Sequence, residues 1–315
     1  MRKKLSISYA SFGVPAPFDP SFALVTSPLP FLPPLVLGAV RGLLALYTLI
    51  TAVVILGLDS AVYNSGPSYL SYFTSLSYIG LCAYFWASSV QTIAFARAVR
   101  NLRSVQDDTD AGNRGQKKTE RDLRVEHVDT ERRIYYPLQK WPRPLQLMHV
   151  LLYTSIVVYP IIVTIVFWAL LSSPQTLMGT YNAWANISRH ILNSAFAVFE
   201  ITCTNVPPLP WSHIGPVFIV IALYLGVAYI TRATQGFYTY SFLDPGSHPG
   251  RVAAYIFGIA VGYCIVFAVV KGIITLRCRL ARRRWESKED AGRPGAPEAL
   301  DEWEEVDHPQ RSSRV

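Results

Sequence analysis

Two residues in the apolar part of this sequence have the side chains of a nucleophile and its base: Thr74 and His190. A threonine hydroxyl is a poor nucleophile until a base takes its proton, and a neutral imidazole within hydrogen-bond reach can do so. His190 stands in Trp184–Glu200, a stretch apolar enough to enter a bilayer that still carries Arg189, His190 and Glu200. At about 100° per residue, Asn186, His190, Asn193, Ala197, Glu200 and Thr204 fall within an arc of roughly 80° on one helix. Ionisable groups within a membrane span are costly, usually face the bundle interior or a wet cavity, and are candidates for function by default. Asn193, one turn beyond His190, is placed to orient the imidazole. Each residue also has a purely structural reading: a packed histidine, a threonine bonded to its own i−4 carbonyl, an asparagine wedged between helices.

The elements that must position this chemistry are set by composition. Of 315 residues, 51% are hydrophobic and only 16% charged, far more apolar than a soluble domain. The net charge of +8 sits in a few segments between apolar runs, which suits a cytoplasmic membrane face and argues against nucleic-acid binding. Met1-Arg-Lys-Lys4 leads into Ser, Pro and Gly rather than the apolar run of a signal peptide, so the first span is expected to stay. Cys82, Cys203, Cys264 and Cys278 lack metal-ligand spacing and read as buried thiols. There is no His-Glu-x-x-His, Gly-x-Ser-x-Gly, phosphate loop or Cys-x-x-Cys, so no metal and no cofactor is expected.

The chain reads as an all-α membrane protein, a six-transmembrane-helix bundle with a disordered charged loop and tail. Residues 1–34 form a largely disordered leader. Spans are expected at about 35–58, 68–96, 144–171, 183–204, 214–231 and 252–276, each long enough for a core about 30 Å thick at ~1.5 Å per residue. Pro160 kinks the third. The 97–143 interruption is a mixed-charge, disordered cytoplasmic loop, and 277–315 a disordered cytoplasmic tail. The aromatic segment Phe237–Phe242, closed by Asp244-Pro245-Gly246, lies at the interface or folds over the bundle mouth. His149 and His213 read as interfacial. Lys and Arg number three in the leader, twelve in the loop and nine in the tail, against none, none and two in the opposite loops. Both termini are therefore expected to be cytoplasmic.

With that topology the second and fourth spans start on the same face, and residue offsets become depths. Thr74 lies roughly 9 Å in and His190 roughly 10 Å, so neighbouring helices would bring them into one layer. From the other face Arg41 lies about 9 Å deep and Glu200 about 6 Å, a candidate structural ion pair. Arg189, about 100° around from His190, is expected to snorkel to the outer interface.

His190 followed ten positions later by Glu200, then a Pro-containing turn, an aromatic span and Tyr-x-Tyr-x-x-Leu-Asp, with Tyr72-Phe73-Thr74 opening the second span, resembles the androgen-inducible membrane protein family. That resemblance implies a threonine hydrolase cleaving fatty acid esters of hydroxy fatty acids, with Thr74 and His190 at the catalytic positions. His190-Ile-Leu-Asn-Ser194 with Phe237-Tyr-Thr-Tyr-Ser-Phe-Leu-Asp244 is also similar to the rolling stone family, multi-span proteins associated with cell fusion. The sequence thus carries three readings. They are a membrane hydrolase of lipid esters, whose partners are membrane lipids and a fatty ester substrate; a non-enzymatic protein of adhesion, fusion or scaffolding; and a transporter relaying protons through His190 and Glu200. The organelle and the oligomeric state stay open.

Overall fold

A computed structural model describes residues 8–112, 134–246 and 249–292. Two compact units divide the chain, Met1–Cys278 and Arg279–Val315, and the bundle belongs to the first. Among the described residues the fold is helical, without strands. The principal helices are α1 (Pro34–Ala61), α2 (Phe73–Gly112), α3 (Arg143–Val166), α4 (Thr180–Ile187), α5 (Asn193–Cys203), α6 (Ile214–Gln235) and α7 (Pro249–Gly292). The protein is a multi-pass integral membrane protein: five helical stretches are long and apolar enough to cross a membrane.

The six expected spans meet this standard in five places. The exception is 183–204, where α4, a π-turn at Ser188–Leu192 and α5 run unbroken over residues 180–203. Its length suffices, at about 36 Å, but Asn186, Arg189, His190, Asn193 and Glu200 dilute its apolar character. The same polar stripe that drew attention to this helix keeps it from registering as an ordinary span.

Sequence explains most element boundaries. Proline at the first helical positions opens α1 and α3, where the missing amide hydrogen costs nothing. Gly236, at φ 83°, closes α6 in the left-handed region. Helix α1 buries Leu37, Gly38, Arg41, Ala45, Thr48 and Ile55, a single face at helical spacing. That face packs on α2 at close range: a Cβ on Gly38 would stand 2.7 Å from Ile93 Cγ1, and one on Gly42 3.1 Å from Ser89 Oγ. Ser89 donates to the Gly38 carbonyl at 2.8 Å. Small residues four apart let two helices approach, as bilayer packing favours.

The leader departs from expectation. Residues 8–33 are not loose: Val14, Phe18 and Val25 are buried and join Phe95, Tyr136 and Leu138 in a second apolar cluster. Asp19 fastens the segment, accepting from Tyr136 Oη at 2.6 Å and from the amides of Ala23 and Leu24 at 2.8 and 3.1 Å. Scattered phenylalanines and a run of prolines look like a linker when counted, yet Phe18 and Phe22 pack in a groove at the bundle end. The charged loop also differs at its margins. Helix α2 runs to Gly112, Tyr136 and Leu138 are buried, and 113–133 lie outside the described residues. Likewise α7 continues past 276 to Gly292, and 293–315 lie outside the described residues.

Candidate functional site

The polar stripe of the fourth crossing divides between two places. At the leader end, Glu200 meets Arg41 in a two-pronged ion pair, Nε to Oε1 and Nη2 to Oε2, both at 2.8 Å and both side chains fully buried. Tyr84 Oη donates to Oε2 at 3.0 Å, and Arg41 Nη1 donates to the Leu24 carbonyl and to Thr92 Oγ1. Every charged oxygen and nitrogen here has a partner, which is the condition for tolerating such a pair in a dry interior.

His190 occupies the opposite end, inside the π-turn. A π-turn shifts the backbone hydrogen bonds from i−4 to i−5 and leaves carbonyls at its edges without amide partners. Side chains take them up: Thr164 donates to the His190 carbonyl, and Asn193 Nδ2 donates to the Arg189 carbonyl at 3.1 Å. Ser194 donates to the carbonyl of Pro160 at 3.0 Å, tying the turn to the proline of α3. Asn193 Oδ1 is buried without a partner, and no hydrogen bond from Asn193 holds the imidazole. Phe167 does, its ring stacked on His190 with centroids 3.5 Å apart and planes 5° from parallel. Phe167 itself opens a second π-turn, Phe167–Leu171, at the end of α3. His190 Nδ1 is buried without a hydrogen-bond partner.

His190 lines a polar cavity of about 370 Å³ whose wall includes Asp59, Tyr69, Tyr72, Thr74, Arg189 and Tyr240. Thr74 is thus brought into one cavity with His190, although no hydrogen bond joins them. Its hydroxyl is unusual among the threonines of this bundle. Thr48, Thr92, Thr154, Thr202, Thr204, Thr231, Thr234 and Thr275 each bond the carbonyl four residues back. Thr74 is the second residue of α2, has no helical carbonyl behind it, and makes no such bond. Arg189 points its charge to this cavity rather than snorkelling away, with Nε donating to the Ala185 carbonyl at 3.3 Å.

A second pocket, about 250 Å³, adjoins the first. Its walls are Tyr159, Val163, Phe218, Leu225, Ile256 and Ala260, from α3, α6 and α7. Four residues line both spaces: Thr74, Phe167, Leu171 and Tyr240. The arrangement is an apolar slot and a polar chamber meeting at the Thr74 hydroxyl, with an imidazole on the polar side.

The structure also holds a hydroxyl–imidazole pair in direct contact, at the other end of the molecule. Thr154 Oγ1 is 2.7 Å from His213 Nδ1, and His213 Nε2 is 3.0 Å from the Phe12 carbonyl. Only a protonated nitrogen can serve a carbonyl, so Nε2 carries the hydrogen, and the single Thr154 hydrogen is shared between Nδ1 and the Val150 carbonyl, 3.2 Å away. Both side chains are fully buried. This pair clamps the leader to the bundle. His149 is also buried, stacked on Tyr84. Both histidines are buried, and the leader meets His213 through the Phe12 carbonyl.

The sequence reading does not single out Phe167, Tyr224 or Tyr240. The only signal for Tyr240 is the aromatic segment Phe237–Phe242, which does fold over the mouth, with Thr239 and Leu243 buried. Helical membrane fold, apolar slot and polar chamber together define a multi-pass membrane protein with a two-part internal site. Comparisons of the chain with models of known protein families, with curated proteins and with solved structures each returned no match.

Proposed function

We propose that this membrane protein hydrolyses lipid esters, with Thr74 as nucleophile and His190 as general base and then acid. The observation that carries the reading is the place of Thr74 on the wall shared by the apolar pocket and the polar cavity. An acyl chain suits the first space, water and the polar part of the ester suit the second, and the scissile bond falls at their boundary. Thr74 Oγ attacks the carbonyl carbon as its proton passes to His190. The bond to the alcohol oxygen then breaks, and His190 returns the proton to that oxygen. Water, deprotonated by the same imidazole, releases the acid from Thr74 and restores the site. The hydrogen bond between the two side chains is absent at rest, a common state for catalytic contacts that tighten only around substrate.

The resemblance to the androgen-inducible family supports the same pair and suggests fatty acid esters of hydroxy fatty acids as the substrate. The Lys and Arg balance supports cytoplasmic termini, with the site towards the opposite face. Proton relay along the stripe finds no support, since Glu200 is sealed in its ion pair and does not line the cavity. The test is hydrolysis of branched fatty esters by purified protein, comparing wild type with Thr74→Ala and His190→Ala. Loss of turnover in both well-folded variants is expected. Unchanged turnover in either would end the mechanism, and no turnover in wild type would favour a rolling stone-like, non-enzymatic role.

A further inference from the structure

We propose that Tyr240 is the oxyanion donor of this site, its phenolic O–H hydrogen-bonding the ester carbonyl oxygen as negative charge builds there. The proposal rests on the hydrolase reading above. Of the four residues common to both spaces, Phe167 and Leu171 have no polar side-chain atom, Thr74 is the nucleophile, and Tyr240 remains. A carbonyl whose carbon lies against Thr74 Oγ, with its chain in the slot, places its oxygen among the groups that surround that hydroxyl. Tyr240 is one of them, in electrostatic contact with the Thr74 side chain.

The ring of this phenol is held on three sides. Its ring packs edge-on to Tyr72 at 6.0 Å, against Tyr224 at 6.3 Å and flat on Phe242 at 5.2 Å. A donor fixed before the reaction needs no reorganisation when charge appears, which is the source of its strength. Tyr224 gives its own proton to the Ser71 carbonyl at 3.0 Å and stands beside the Tyr240 phenol. The backbone amides of Phe73 and Thr74, in the first turn of α2, act on the Tyr240 oxygen. Amides at a helix start carry partial positive charge, and that field favours electron density on the phenol oxygen as its proton is shared with the oxyanion. Burial pushes the Tyr240 phenol above its ordinary value, against the opposing pull of the Tyr224 and Thr74 hydroxyls and of those amides. It therefore stays protonated, and a donor, at neutral pH. When the tetrahedral intermediate collapses, the electron pair returns from oxygen to carbon and Tyr240 retains its proton, so no net transfer is required.

The experiment uses the full chain in detergent with a long-chain ester and its thionoester, in which sulfur replaces the carbonyl oxygen. Sulfur accepts hydrogen bonds poorly, so wild type should strongly prefer the oxygen ester. Tyr240→Phe should lower kcat on the oxygen ester about 100-fold with little change in KM, and the preference over the thionoester should shrink with it. An unchanged kcat or an unchanged preference, with Thr74→Ala inactive, overturns this proposal and leaves the hydrolase standing. A fully active Thr74→Ala overturns the hydrolase itself. Should Tyr240→Phe fail to fold, difluorotyrosine at position 240 keeps the shape and makes the phenol more acidic. Loss of activity on the alkaline side should then begin at lower pH, and an unmoved profile overturns the assignment.

Discussion

Phe167 and His190 lie face to face, each within its own π-turn, on the two helices that close the polar cavity. The stack fixes the imidazole plane without consuming a ring nitrogen. Replacing Phe167 with Leu should keep the fold but free the ring, lowering ester turnover about 10- to 100-fold, the usual cost of a small misplacement. A turnover equal to wild type, with the melting temperature unchanged, would show that the stack is only packing.

Arg41 and Glu200 predict a different pattern, one of stability rather than turnover. Arg41→Met or Glu200→Gln alone leaves a buried charge unpaired and should cost about 3–5 kcal/mol. The double variant Arg41→Met/Glu200→Gln should cost much less than the two single changes together. Thermal melts in detergent give the coupling, and strictly additive losses would mean the two residues do not depend on each other.

The approach of α1 to α2 is set at Gly38, whose added Cβ would press on Ile93 Cγ1 at 2.7 Å and on the Ile93 amide nitrogen at 3.2 Å. Gly38→Val should destabilise the bundle by about 1–3 kcal/mol through overpacking. Ile93→Ala should restore only part of that loss, because the backbone contact remains. Full recovery in the double variant would assign the whole effect to the side chain.

The leader latch has a pH signature. Burial raises the Asp19 carboxyl above its ordinary value, while hydrogen bonds from Tyr136, Leu24 and Ala23 pull it down less strongly. A raised folded value means the folded state binds the proton more tightly than the unfolded one. This contribution to docking is present in full at low pH and is lost as pH climbs from the ordinary carboxylate range through the raised value. Hydrogen-exchange protection factors of residues 14–25, corrected for the intrinsic pH dependence of exchange, should therefore fall across that window in wild type and stay level in Asp19→Asn. Equal pH dependence in both would remove Asp19 from the account.

Ala260 lines the apolar slot. Ala260→Phe should fill it, cutting kcat/KM for long-chain esters by about 10-fold or more and leaving short acetyl esters nearly unaffected. An equal loss for both chain lengths would place the acyl chain elsewhere.

The sequence by itself determined the membrane fold and the placement of its helices. Length and apolarity of a span are local properties, so the starts of α1, α3, α6 and α7 sit within a few residues of where composition puts them. It also placed Arg41 with Glu200 and Thr74 with His190 in matching layers, because helical rise converts residue offsets into depth. What surrounds each of those residues was decided only by tertiary structure. His190 stacks on Phe167, while the Asn193 amide nitrogen serves the Arg189 carbonyl beside the π-turn. The leader folds because the bundle end supplies a groove for Val14, Phe18 and Val25, and its Phe12 carbonyl meets the buried His213. Tyr240 reaches Thr74 from a loop more than 160 residues away. Such contacts depend on which faces of distant segments meet, and no window of neighbouring residues contains that information.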